Sequence, residues 1–339
     1  MSRKMESFIK RGKLILVFAA ITGLALVTAL GWHAYREGVP GMAVNVTAMQ
    51  CGAIPAIDSA YPGMAWIPGG SFTMGAEGTY FEEGPAHEES VAGFWMAQHE
   101  VTNAEFAEFV AATGYLTLAE RGIENPATGE HIPGSAVFTP HVSDEPVNPF
   151  ASWWQFMEMA DWQHPEGPGS DISTRGNHPV VHIAFEDALA YAQWKGQDLP
   201  TEAQFEFAAQ SSSMKDAAGN FQSNTWQGLF PFQHDARDGY TGTAPVGCYA
   251  ANEYGIVDLI GNVWEWTRTP YFYNHAFTEQ ESFPEGYDPN QPGEPVAVIK
   301  GGSYLCAPNY CMRYRPEARQ AQSKGLGTSH IGFRTVINP

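Results

Sequence analysis

Helical rhythm is confined to three short stretches of this 339-residue chain, and the rest is broken up by 35 glycines and 24 prolines. No long bundle or solenoid fits such a pattern. In TNAEFAEFVAATG, Thr102 and Glu105 form the signature of a capping box, Phe106, Phe109 and Val110 share one face, and Gly114 ends the helix. AFEDALAYAQWKG sets Ala188, Tyr191 and Ala192 on one face and stops at Gly196. PTEAQFEFAAQ repeats the capping logic with Thr201 and Gln204 behind Pro200. Between these helices the chain reads as short strands, with neither an internal repeat nor a visible second domain. With 44% apolar and 13% aromatic residues, the expectation is a compact domain rich in turns.

The first residues are of a different kind. Residues 1–13 carry Arg3, Lys4, Lys10, Arg11 and Lys13 against Glu6, and lead into an uncharged apolar run from Leu14 to Leu30. As a helix that run reaches ~26 Å, and slightly more if extended to Trp32, against a hydrocarbon core of ~30 Å. Residues 14–32 therefore read as a membrane anchor, or else as a signal segment that would leave a secreted soluble form. The preceding basic residues place the N-terminus in the cytoplasm and the domain outside it, periplasmic or extracellular. Residues 33–60 read as a linker, and the folded domain as 61–339.

The whole chain carries a formal charge of −19, and the basic N-terminus makes the remainder more acidic still. That balance, without a Lys/Arg cluster in the domain, argues against nucleic acid as a partner. HPVVH places His178 and His182 four residues apart, but Pro179 disfavours a helix there. In an extended strand they would stand ~13 Å apart, so they read as structural. Asn224, Asp238, Asp258 and Glu265 lie in irregular, Gly-containing segments, an oxygen-rich mixture that Ca²⁺ accepts. Capping and solvated side chains account for the same residues.

Four cysteines are present, and two of them, Cys306 and Cys311, share the stretch GGSYLCAPNYCMRYR. A disulfide, a soft-metal site and a redox pair all fit that spacing. Two thiolates in one short loop suit Cu(I), whereas an exported chain also favours a disulfide. The surrounding Ser303, Tyr304, Tyr310, Arg313 and Arg315 are more polar equipment than a staple requires. Cys248 reads as a buried thiol, with pairing to Cys51 left open.

With AWIPGGSFTMGA, VTNAEFAEFV, TGYLT, DWQHPEGP, HPVVHIAFEDALAY, LPTEAQFEFA, NTWQGLFP, GTAPVG, YGIVDLIGNVWEWT, IKGGSYLCAPNYCMRYR and IGFR in view, the chain resembles the formylglycine-generating enzyme, or sulfatase-modifying factor, family over about Met64 to Val336. The resemblance implies an α+β domain of the C-type-lectin-like, sulfatase-modifying type with much irregular structure. It implies an oxidoreductase that uses copper and O₂ to convert a cysteine in a Cys-x-Pro-x-Arg segment of a sulfatase polypeptide into Cα-formylglycine. Cys306 and Cys311 would bind Cu(I), with Ser303 and Tyr310 as hydroxyls beside them and Trp264 as an aromatic wall of the oxygen pocket. One structural Ca²⁺ would take the side chains of Asn224 and Asp238 and the carbonyls of Thr225 and Tyr240. A second would take Asp258 and Glu265 and the carbonyls of Gly261 and Val263.

Several positions depart from the animal members. Ala307 replaces a histidine, and His330 stands where asparagine is common. The four positions that form two disulfides there are Ala192, Ala209, Pro316 and Thr335. Two rival functions remain at this level: a non-catalytic binding module on the same fold, and an oxidase of a different thiol.

Overall fold

A computed structural model describes residues 51, 54–56, 59–124, 129–139 and 153–339. The basic segment, the apolar run and most of the linker expected from the sequence lie outside the described residues. No described helix is long and apolar enough to cross a membrane.

Two small sheets organise the domain. Strands β1 (Met64–Ile67) and β4 (Phe94–Ala97) pair antiparallel, and β13 (Val336–Ile337) pairs with the other edge of β4. The two ends of the domain therefore close on one strand, with Met96 opposite both Ala65 and Val336. The second sheet runs β11-β10-β9-β12, from β9 (Trp264–Pro270), β10 (Val296–Lys300), β11 (Arg319–Ser323) and β12 (Ile331–Gly332). Only the β12–β9 pairing in it is parallel. β10 is buried along its whole length, so its sequence VAVIK lacks the alternation of a half-exposed strand. Its last residue, Lys300, is neutralised by Glu206 at 2.8 Å. Three two-stranded ribbons complete the strands among the described residues: β2 (Gly70–Met74) with β3 (His87–Val91), β5 (Ile123–Glu124) with β6 (His131–Ile132), and β7 (Gly134–Phe138) with β8 (Trp154–Glu158).

The expected helices form as α1 (Asn103–Thr113), α3 (Phe185–Trp194) and α4 (Glu202–Ala209). Thr102 and Thr201 cap α1 and α4 in the predicted boxes, and Gly114 takes the left-handed conformation that ends α1. Phe106 and Phe109 are buried, while Val110 packs at the margin of the same core. A fourth helix, α2 (Leu118–Arg121), is absent from the sequence expectation, although Thr117 and Glu120 form a capping box of the same kind. His178 and His182 bond separately, to Thr243 Oγ1 at 2.9 Å and to the Pro165 carbonyl at 2.8 Å, as structural histidines do.

One cysteine expectation is corrected. Cys248 is not a free thiol: it forms a disulfide with Cys51 across 197 residues. Cys306 and Cys311 are both free and both buried. They belong to the main core, with Phe106, Tyr191, Trp264, Trp266 and Phe333.

Candidate active site

The loop carrying the two cysteines leaves β10 through two left-handed glycines, Gly301 and Gly302, at φ 91° and 78°. A side chain on Gly302 would meet the Arg313 carbonyl at 2.6 Å, so the start and end of the loop touch only because this position is glycine. Beyond it the backbone is tightly tied. Cys306 N donates to the Ser303 carbonyl at 2.9 Å, and the Ala307 carbonyl accepts from both Tyr310 N and Cys311 N at 3.1 and 3.0 Å. Neighbouring segments hold it too: Trp226 N donates to the Cys306 carbonyl and Tyr304 N to that of Asn262.

This scaffold sets the sulfurs of Cys306 and Cys311 2.7 Å apart. That exceeds a disulfide bond of ~2.05 Å. Burial raises the Cys306 thiol well above its ordinary value. Burial also pushes Cys311 up, but hydrogen bonding to Cys306 and the positive charge of Arg313 more than offset it, leaving Cys311 at about 7. The pair is thus asymmetric, with the readier thiolate at Cys311.

Both sulfurs face a cavity of about 50 Å³. Trp264, Trp154, Phe230, Tyr310, Ser303 and His330 are among its walls, so Ser303, Tyr310 and Trp264 line the same cavity as the cysteines. Tyr310 stacks on Phe230 with centroids 4.2 Å apart and meets the edge of Trp153. Burial keeps its phenol protonated. His330 lies over Trp154, bonds to Thr328 Oγ1 at 2.7 Å, and is pushed by burial to about 3. It is a neutral ring that shapes the chamber. Ala307 is wholly buried, with no polar reach into the site. A larger groove of about 500 Å³ shares Phe138 and Leu305 with the cavity, so two side chains form a common wall between them.

A clamp that the sequence reading missed holds the far side of the loop. Arg313 lies 3.9 Å over the ring of Tyr80 and pairs with Glu82, while Arg315 pairs with Glu83 at 2.6 Å. Met312 N donates to the Tyr80 hydroxyl, and Arg319 to the Glu82 carbonyl. The two arginines were visible in the sequence, but their partners lie over 200 residues away.

The candidate calcium ligands fall into two adjoining groups. Asn224 is fully buried, with its side-chain oxygen unpartnered. Its amide donates to the Gly242 carbonyl at 2.9 Å and to Asn262 Oδ1 at 3.1 Å, linking both groups. Thr225 follows Asn224, and Tyr240 N bonds to buried Asp238 at 3.1 Å. A buried side-chain oxygen without a partner is the kind of donor a hard cation takes.

In the second group, Gly261 fits against the backbone of Asn224, where a Cβ would lie 2.4 Å from its carbonyl oxygen. Val263 is buried, Asp258 accepts from Gly247 N at 2.6 Å, and Glu265 takes both its hydrogen bonds from Arg334 at 2.7 Å. Glu100, which the sequence reading passed over, joins them with one oxygen unpartnered. Burial raises Asp258 to about 6, and burial followed by the charge of Asp258 raises Glu100 well up. With one guanidinium among three buried acids, Glu100 and Asp258 are driven toward their protonated, neutral forms.

Comparisons with known proteins agree with this picture. Residues 53–339 match the sulfatase-modifying factor enzyme 1-like domain. The formylglycine-generating enzyme of Mycobacterium tuberculosis is 43% identical over 293 residues, covering 80% of this chain and 97% of that protein. A Bos taurus protein named inactive C-alpha-formylglycine-generating enzyme 2 is 40% identical over 288 residues, covering 80% and 86%. Among solved structures, PvdO from Pseudomonas aeruginosa superposes with a TM-score of 0.53 at 20% identity, covering 80% of this chain and 93% of that one, a likeness of fold alone. Matches of this length, carried by a domain that closes its two ends on β4, make the chain a member of the sulfatase-modifying factor (formylglycine-generating enzyme) family.

Proposed function

We propose that this protein is a formylglycine-generating oxidase: it oxidises a cysteine in a Cys-x-Pro-x-Arg segment of a sulfatase to Cα-formylglycine, using Cu(I) and O₂. The observation that carries the reading is the pair of reduced sulfurs facing a small aromatic cavity. A relative named inactive shares 40% identity, so the site and not the fold must carry the argument. Cys306 and Cys311 are the donor type a soft monovalent ion takes. To hold one ion at a metal–sulfur distance of ~2.3 Å each, they would have to open from 2.7 Å. Bound there, Cu(I) would supply the O₂ chemistry.

The chain's own residues do the rest. Cys311 offers a thiolate near neutral pH, with Arg313 balancing its charge. Ser303 and Tyr310 bring hydroxyls to the chamber, and Trp264 and Phe230 keep it apolar. The groove beyond Phe138 and Leu305 would receive the extended peptide. Ca²⁺ at Asn224 and Asp238, with the carbonyls of Thr225 and Tyr240, and at Asp258 and Glu265, with those of Gly261 and Val263, would be structural. The apolar run at 14–32 would anchor the chain, with the domain outside the cytoplasm.

The test is direct. Cys306→Ser and Cys311→Ser should each lose stoichiometric Cu(I) binding together with oxidation of a Cys-x-Pro-x-Arg peptide. Full turnover by metal-free protein or by either variant would overturn the copper reading. Tight copper binding with no peptide turnover, but with oxidation of another thiol, would instead favour a different substrate.

A further inference from the structure

The Cys51–Cys248 disulfide joins an exposed sulfur-bearing residue to a buried one. Four residues after Cys51, the Pro55 carbonyl accepts from Gln98, whose amide also donates to the Gly255 carbonyl. The end of the linker is thus fastened twice, once covalently. Each neighbour of Cys248 holds a buried acid: Gly247 N donates to Asp258 at 2.6 Å, and the Tyr249 hydroxyl to Asp238 at 2.7 Å. The same loop forms a wall of the larger groove through Gly239–Thr243. From that wall the Tyr240 hydroxyl stands 3.3 Å from the sulfur of Cys51 and 3.5 Å from that of Cys248.

Thiol–disulfide exchange needs access for the attacking thiolate and stabilisation of the sulfur that leaves. Exposure assigns attack to Cys51, and the Tyr240 hydroxyl is placed to donate to the departing sulfur of Cys248. We propose that Cys51–Cys248 is a redox latch: reduction by a dithiol releases Cys51 from Cys248 and loosens the 238–249 loop, and with it one wall of the groove. The first thiolate of the dithiol bonds to the Cys51 sulfur as the Cys51–Cys248 bond breaks, and Cys248 takes up a proton. The second thiol then displaces Cys51, which is protonated in turn. The two cysteines end reduced and the dithiol ends as a disulfide. Neither copper nor peptide oxidation enters this inference.

The experiment treats the full chain with dithiothreitol as the dithiol. Mass mapping follows the thiols at Cys51 and Cys248 separately from Cys306 and Cys311, while hydrogen exchange is read over the whole domain. The latch predicts that Cys51 and Cys248 open in folded protein and that exchange then rises at least tenfold across 238–249, with α1 unchanged. It also predicts reduction of Tyr240→Phe about fivefold more slowly than wild type. Cys51→Ser should show the loosened loop without reductant and no further response to it. Reduction only on global unfolding, unchanged exchange after reduction, equal rates for Tyr240→Phe, or a Cys51→Ser loop as protected as the oxidised wild type would each overturn the proposal.

Discussion

Replacing Arg334 by methionine should be among the most damaging single changes outside the cysteine loop. Arg334 and Glu265 have no exposed side-chain surface. The guanidinium makes two bonds of 2.7 Å to the carboxylate and a third of 3.1 Å to the Val257 carbonyl. Its charge also favours the ionised forms of the buried acids Glu100 and Asp258, against the effect of burial. Methionine fills similar volume, so the loss is electrostatic. Breaking a wholly buried pair by removing one partner costs about 3–5 kcal/mol. For a domain of this size that lowers Tm by ~6–10 °C, at about 2 °C per kcal/mol. Urea unfolding with a fitted slope measures it, with Arg268→Met as the comparison. Arg268 pairs with Asp198 at the surface, with half its side chain exposed, and such pairs contribute below ~1 kcal/mol. If the two variants lost the same stability within 1 kcal/mol, the buried-pair reasoning would be wrong.

Chelation should lower the Tm of the wild type by ~5 °C for each of the two ions, ~2.7 kcal/mol apiece at a hundredfold the Kd, and lower that of Asn224→Ala by less; equal shifts would remove calcium from this position. Asp187 is buried and raised to about 6 despite three hydrogen bonds, from Ala184 N, Leu118 N and the Tyr115 hydroxyl. The native state then keeps a proton that the unfolded chain has released, so stability should fall by ~3 kcal/mol as pH rises from about 4 to 6. Asp187→Asn should abolish that slope in urea titrations, and an unchanged slope would refute the assignment. Protease added to intact spheroplasts should digest the domain; protection until lysis would reverse the proposed topology.

The helices were legible because their caps are local. Thr102 with Glu105 and Thr201 with Gln204 lie three residues apart, and the apolar faces follow within a turn or two. The same local signal at Thr117 and Glu120 was there to be read and was missed, because a one-turn helix offers no apolar rhythm behind it. Cys306, Cys311, Ser303 and Tyr310 were legible as a group because one loop carries them. Glu100, Arg334 and the Tyr80–Glu83 segment were not, since each acquires its role from a partner far along the chain. Cys248 went astray for the same reason: nothing near it in sequence points to Cys51, 197 residues earlier.

The clamp on the cysteine loop bears on how small a working unit this protein could be reduced to. A fragment beginning at Pro85 would keep Cys306 and Cys311, all four described helices and the whole four-stranded sheet. It would lose Tyr80, Glu82 and Glu83, leaving Arg313 and Arg315 without those acidic partners and Cys311 with a mobile counter-charge. It would also lose β1, β2 and the Cys51–Cys248 link, so β4 would keep β13 alone as a partner and the loop would stand unsupported in an opened domain. Adding back a peptide spanning 59–84 in trans would be the way to learn whether the support must be covalently attached or need only be present.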